Sequence, residues 1–286
     1  MRVLVLGAGQ IGTAILKAAP NSHEVITRTH AQLDIVDSQS VGQTLAATGA
    51  DWVVNAAAYT AVDRAEDEPA AARAVNDTAV AELAQAAKRE KARLLHLSTD
   101  FVFDGAAGRP YRPTDPTHPL NVYGVTKRAG EQHVLEGGNG IVVRTSWVYA
   151  SAGKNFVLTM LKLMQDRDRL NVVCDQIGTP TWAMSAAAAV WALIESGSEG
   201  GIYHWADLGV ASWYDFAVAI QEEALVRGLL TRAAGIVPIP SAAYAARALR
   251  PSYSVLDTTS ARALLRVPPL HWRESLRRML DELRAA

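Results

Sequence analysis

The sequence predicts an α/β protein built on a doubly wound parallel sheet, with a smaller C-terminal lobe beside it. Three observations carry this. Short apolar β-rich runs alternate with helical segments over the first 150 residues, a glycine-rich turn joins the first strand to the first helix, and the rhythm loosens afterwards. With 286 residues and 49% of them apolar, the chain can bury one large core or two smaller ones.

The elements follow in order. "RVLVLGA" at 2–8 is a strand closed by glycine, "IGTAILKAA" continues as a helix, and "EVITRT" at 24–29 is the second strand. A helix near 38–48 leads to the strand "DWVVNAAA", an Ala-rich helix spans about 69–90, and "RLLHLSTD" at 93–100 is the fourth strand. A Pro- and Gly-rich loop at 104–119 precedes a helix beginning near Asn121, and "GIVVRTSWVY" supplies the next strand. Beyond residue 150 come the helix "NFVLTMLKLMQD", the strand "LNVVCDQIGTPT", the short strand "GIYHWA", a helix at about 212–227, a Pro- and Ala-rich segment at 236–251 and an amphipathic terminal helix from Trp272. Residues 1–150 are expected to form the nucleotide-binding domain and 151–286 mainly a substrate-binding lobe, with segments near 170–205 returning to the sheet.

Composition narrows the partners. Basic and acidic side chains balance at 28 against 29, which leaves no electrostatic footprint for nucleic acid or an anionic membrane. The longest apolar run, 183–194, is short of the roughly 20 residues that span a bilayer. "MRVLVLGAGQIG" runs straight into glycines, unlike a secretion signal. Cys174, the single cysteine, excludes an intramolecular disulfide and a cysteine-based zinc cluster. A cytoplasmic location is expected.

"GAGQIG" places Gly7, Gly9 and Gly12 around Gln10 and Ile11, after a strand and at the start of a helix. In that context the pattern predicts a dinucleotide site, where small residues let the backbone approach a pyrophosphate and the helix N-terminus offers N–H donors. The acidic residue that would hold an NAD ribose is missing after "EVIT", and Arg28 stands where it could meet the 2′-phosphate of NADP. NADPH is the expected cofactor, with NADH as the alternative.

Tyr123 and Lys127, four apart on a predicted helix, share one face. An ammonium near a phenol stabilises the phenolate, so the pair suits proton exchange with a carbonyl oxygen while hydride moves at carbon. Ser98 and Thr99 end the fourth strand, at the carboxyl edge where a hydroxyl can polarise that carbonyl.

Hydroxyl, tyrosine and lysine in this order after a dinucleotide loop resemble the extended short-chain dehydrogenase/reductase family. Within it, "NAAAYTAVDRAE", "STDFVFDG", "PLNVYGVTKRAGE", "RTSWVYA", "DQIGTPT", "GIYHWA" and "RPSYSVLD" are similar to the dTDP-4-dehydrorhamnose reductase family, nearly from end to end. The resemblance implies reduction of the 4-keto group of a dTDP-6-deoxy-hexulose. Tyr123 would be the proton donor, Lys127 would hold the ribose and tune Tyr123, and Thr99 would orient the keto oxygen. It also implies Asp34 at the adenine, Ala56, Ala57 and Tyr59 flanking the cofactor, and Asp100, Phe101 and Trp147 at the sugar. Arg250 in "LRPSY" is expected at the diphosphate.

Two departures from the family pattern stand out. Phe101 replaces the tyrosine of "STDYVF" and loses its hydroxyl. Some relatives hold a magnesium ion at a dimer interface with glutamates, but the matching positions are Ala14, Met184 and Glu282, and one carboxylate cannot build the shell magnesium prefers. No metal site is expected, and the chain is expected to act as a monomer or homodimer. His96 inside the fourth strand is read as a core histidine and Cys174 as a small hydrophobe. His133 and Arg273, Arg277 and Arg278 are read as surface residues. The alternatives are a reductase giving the talose epimer, a nucleotide-sugar dehydratase or 4-epimerase, and a non-catalytic NADP-binding subunit related to that of methionine adenosyltransferase. A dehydratase needs an acid after Thr99 and Asp100, where Phe101 stands.

Overall fold

A computed structural model describes residues 1–285. The first half of the chain forms strands β1 (Arg2–Leu6), β2 (Glu24–Arg28), β3 (Trp52–Asn55), β4 (Arg93–Thr99) and β5 (Ile141–Thr145). The second half adds β6 (Val148–Tyr149), β7 (Arg169–Val173), β8 (Ile177–Gly178), β9 (Thr181–Trp182), β10 (Gly201–His204), β11 (Ala211–Ser212) and β12 (Gly235–Ile239). Six of them make one sheet in the order β10-β5-β4-β3-β1-β2, with every pairing parallel. This is the Rossmann-type sheet the sequence predicts. The order changes direction between β1 and β3, so a crevice opens at their carboxyl ends.

Among the described residues, eleven α-helices surround the strands: α1 (Gln10–Lys17), α2 (Ser38–Thr48), α3 (Val62–Ala65), α4 (Pro69–Arg73), α5 (Ala79–Arg89), α6 (Val122–Glu136), α7 (Phe156–Asp166), α8 (Ala183–Glu195), α9 (Trp213–Val226), α10 (Thr259–Leu265) and α11 (Trp272–Ala285). Parallel strands must bury both faces, and β1 shows how the sequence meets that need. Val3 and Val5 enter a core with Ala187, Val190 and Ile194 of α8, while Leu4 and Leu6 enter another with Leu45 of α2 and Leu83 of α5. The alanines of α8 allow close approach to α1, and the buried Trp191 indole donates to the Ile15 carbonyl at 2.9 Å.

The chain returns to the sheet at β10, beside β5, and α8 packs on the same face as α1. In contrast, β7 pairs with β12 outside the sheet, and with α7, α9 and α11 builds a separate core around Phe216, Met279 and Leu280. The segment at 236–251, which the sequence marks only as Pro- and Ala-rich, contributes most of β12. Pro238 is tolerated there because a two-stranded sheet consists of edges.

The predicted helix at 69–90 is continuous but not regular. Residues Ala74–Thr78 form a π-helical turn between α4 and α5. At that turn Asn76 is buried, and its carbonyl oxygen lies where a Cβ on Gly130 of α6 would fall. The extra residue in the turn lets two helices meet at backbone distance.

Candidate active site

A cleft of about 1070 Å³ lies over the carboxyl ends of β1, β3 and β4 and reaches the lobe at Trp147, Trp182 and Met184. Gly7, Gly9, Gln10 and Ile11 line it. Gly7 has φ +93°, and a Cβ there would meet the Ala57 backbone at 2.7 Å. Gly12 lies against the Gly7 carbonyl with no room for a side chain, whereas a Cβ on Gly9 would project into open space. That empty, donor-rich turn fits a pyrophosphate: α1 begins at Gln10 with no side chain capping its first N–H groups. Asp34, Ala56, Ala57 and Tyr59 share the cleft wall.

Arg28 does not line this cleft. It is half-buried, its guanidinium donates to the Thr27 carbonyl at 3.0 Å, and the cleft wall is made instead by Thr29 and His30. Arg250 likewise sits apart, paired with Asp63 at 2.6 Å, while Arg247 pairs with Asp67 at 2.6 Å. These two ion pairs tie the loop ahead of Tyr253, which bridges to Ile177 of β8, to Asp63 of α3 and to Asp67 just beyond that helix.

The catalytic candidates converge. Thr99, Asp100, Tyr123 and Lys127 all line the cleft. The helix carrying the tyrosine is fixed from its first turn, where Asn121 Oδ1 accepts from the Gly124 N–H at 2.8 Å and Nδ2 donates to the Leu249 carbonyl at 2.7 Å. Such a cap stabilises a helix by about 1 kcal/mol. Gly124 rests directly on the Phe101 carbonyl, so the turn after β4 and the start of α6 hold one another in place.

Burial pushes the Tyr123 phenol up to about 12, although the Thr99 hydroxyl works the other way. This corrects the expectation that Lys127 lowers it. The Lys127 amino group is turned toward β4, with Nζ donating to the Leu97 carbonyl at 2.7 Å and lying 3.0 Å from His96 Nε2. Burial brings Lys127 down to about 8, with Glu131 acting in the opposite sense. Asp100 is buried and pushed up to about 6. A protonated phenol beside a threonine hydroxyl is a proton donor in waiting.

Several residues at this site stand outside the motifs read from the sequence. Glu131, one turn beyond Lys127, accepts from Arg144 at 2.6 Å and from the Ser98 hydroxyl at 2.5 Å, in a buried pair that joins α6, β4 and β5. Asn76 accepts from the Tyr59 N–H at 2.9 Å and donates to Thr126 at 3.2 Å. The spacing Tyr123, Lys127, Glu131 could have revealed the carboxylate, since all three fall on one helical face. Trp147 has φ +45° and stacks on Trp213 with ring centres 3.5 Å apart, a conformation that costs about 1–3 kcal/mol and needs support around it.

Comparison with known proteins agrees with this geometry. The family described as RmlD substrate binding domain matches residues 1–285. The chain belongs to that family. It is 41% identical to a dTDP-4-dehydrorhamnose reductase of Burkholderia thailandensis, over 96% of each chain. A crystal structure of dTDP-4-dehydrorhamnose reductase from Bacillus anthracis in complex with NADP superposes with a TM-score of 0.92 at 33% identity, covering 98% of this chain and 99% of that one. A Thermus thermophilus UDP-glucose 4-epimerase shares the fold at a TM-score of 0.86, with 20% identity over both full lengths.

Against the family pattern, Phe101 packs edge-on to Tyr123, with ring centres 5.8 Å apart, and does not itself line the cleft. The three positions weighed for a metal, Ala14, Met184 and Glu282, all border the cleft, and Glu282 pairs with Lys17. His133, expected at the surface, contacts Asp77 at 2.8 Å.

Proposed function

We infer that the protein is an NADPH-dependent oxidoreductase that reduces the 4-keto group of a dTDP-4-dehydro-6-deoxy-L-hexulose to give dTDP-L-rhamnose, the last step of dTDP-L-rhamnose synthesis. The observation that carries this reading is the convergence of Thr99, Tyr123 and Lys127 at a cleft whose far wall is the Gly7–Gly12 turn. The nicotinamide cofactor supplies the hydride when bound. Gly7, Gly9 and the uncapped start of α1 would hold its pyrophosphate, and Lys127 its ribose. Thr99 orients the keto oxygen, and Tyr123 gives its proton to that oxygen as the carbonyl becomes an alcohol. With its phenol pushed up to about 12, Tyr123 reaches the reaction already protonated. Asp100 and Trp147 border the sugar, and Arg250 would turn from Asp63 to the diphosphate.

Phe101 in place of a second acid argues against water elimination at this site. The reading is of a cytoplasmic enzyme, a monomer or homodimer, needing no metal. It is tested by following NADPH absorbance with enzymatically prepared dTDP-4-dehydro-β-L-rhamnose and identifying the sugar by NMR. Turnover to dTDP-L-rhamnose supports it. A talose product would reassign the face of the ketone, and NADP binding without turnover would favour a regulatory module.

A further inference from the structure

Lys127 is buried in an unusual company. Among the described residues it has no ion-pair partner, and Glu131, one turn further along α6, is committed to Arg144 and Ser98. Its neighbour is His96, which is fully buried and bonded at both ring nitrogens: Nε2 to Lys127 Nζ and Nδ1 to Asn55 Nδ2, each at 3.0 Å.

The proton count around that ring is determined from outside. The Ala57 N–H donates to Asn55 Oδ1 at 3.1 Å, which fixes the amide with its NH2 toward His96. His96 Nδ1 must therefore accept, and a neutral imidazole then carries its hydrogen on Nε2. That hydrogen points at Lys127 Nζ, which must offer a lone pair. An ammonium in the same place would set donor against donor, as would an imidazolium or a reversed Asn55 amide.

We propose that Asn55 and His96 form a resting berth for Lys127 as a neutral amine, so that the lysine takes up a proton from solvent as it moves onto the bound cofactor. His96 is thus a positioning residue that acts through Lys127 and keeps its own hydrogen throughout. Burial supports the same protonation states, holding His96 well below the usual histidine range and bringing Lys127 to about 8. The other ionisable groups around the berth are Glu131 and Arg144, paired with each other, and Tyr123 and Asp100, whose values of about 12 and about 6 leave neither changing charge near pH 8–9.

The inference rests on the reading of the cleft as a nicotinamide nucleotide site, and two measurements test it. In cofactor-free protein labelled with 15N-histidine, His96 is expected as the Nε2–H tautomer with a bare Nδ1. An Nδ1–H tautomer or an imidazolium would overturn the berth without touching the functional reading. NADPH binding followed by calorimetry in buffers of different ionisation enthalpy should show uptake approaching one proton per chain at about pH 9 and falling toward none at about pH 6. Lys127→Met should abolish the uptake, and His96→Gln, whose carbonyl can accept from an ammonium, should reduce it. Binding without uptake at pH 9, or uptake unchanged in His96→Gln, would refute the proposal alone; failure to bind NADPH would refute both it and the proposed function.

Discussion

At the scale of single residues, the chemistry depends on where a few side chains are held. Tyr123→Phe removes the hydroxyl proposed to give its proton to the keto oxygen and leaves that of Thr99, so NADPH-dependent turnover should fall by about 10²–10⁴-fold while NADPH affinity, measured by fluorescence titration, stays near that of the wild type. Trp213 stacks on Trp147, the residue proposed to border the sugar, and helps to hold its left-handed backbone. Trp213→Ala should raise the KM for the sugar by about 2–10-fold, in line with the loss of one stacked aromatic pair, and leave the NADPH Kd unchanged. The sequence made Tyr123, Lys127 and Thr99 legible because local spacing and strand-end position express their roles. It hid His96, Asn55 and Glu131. Their partners lie 13 to 41 residues away along the chain, so only the spacing of Glu131 from Tyr123 and Lys127 leaves a local trace. Arg28 and Arg250 show the converse case: each stands at the expected place in a motif, yet its guanidinium is turned to the Thr27 carbonyl or to Asp63.

At the scale of elements, two close approaches decide the shape of the site. The π-helical turn at Ala74–Thr78 and Gly130 of α6 form one of them, and any side chain at position 130 must displace the Asn76 carbonyl. Gly130→Ala is expected to destabilise the fold by about 1–3 kcal/mol, seen as a lower melting temperature, and to weaken cofactor binding because Asn76 also holds the Tyr59 backbone. Gly12→Ala should spare the melting temperature less than Gly9→Ala does, since Gly12 is packed on the Gly7 carbonyl and Gly9 faces open space. Strands and helices of the sheet were readable from apolar runs and their spacing, because parallel strands buried on both faces leave that trace. The π turn was not, since in the Ala-rich stretch from Pro69 to Ala87 small residues stand on every side and blur the one-residue slip in phase that an inserted residue makes.

At the scale of the whole molecule, the lobe and the sheet are stitched together by polar groups as well as by packing. Asp207 is buried where the start of α8 meets α11, accepting from the Trp182 N–H at 3.1 Å, and burial raises it to about 6 from an ordinary 3.8. It holds a proton more tightly in the fold than in the unfolded chain, so its contribution to stability declines by up to about 3 kcal/mol as pH rises from about 4 to about 6, and the deficit persists above. Asp207→Asn lacks that ionisation. Whatever the substitution costs at pH 4, its stability relative to the wild type should improve by up to about 3 kcal/mol by pH 7, as read from urea unfolding at each pH. The division between sheet and lobe was only partly legible, because a strand of four residues at Gly201–His204 does not announce which sheet it will join. That strand also sets a timetable for the newborn chain. Until it emerges from the ribosome, β5 is the last strand of a growing sheet with its outer edge bare, an invitation to stray pairing with neighbouring chains. A gene cut after residue 150 should therefore yield insoluble product, whereas synthesis past the 201–204 segment pairs the edge of β5 and leaves only the shorter β10 outermost.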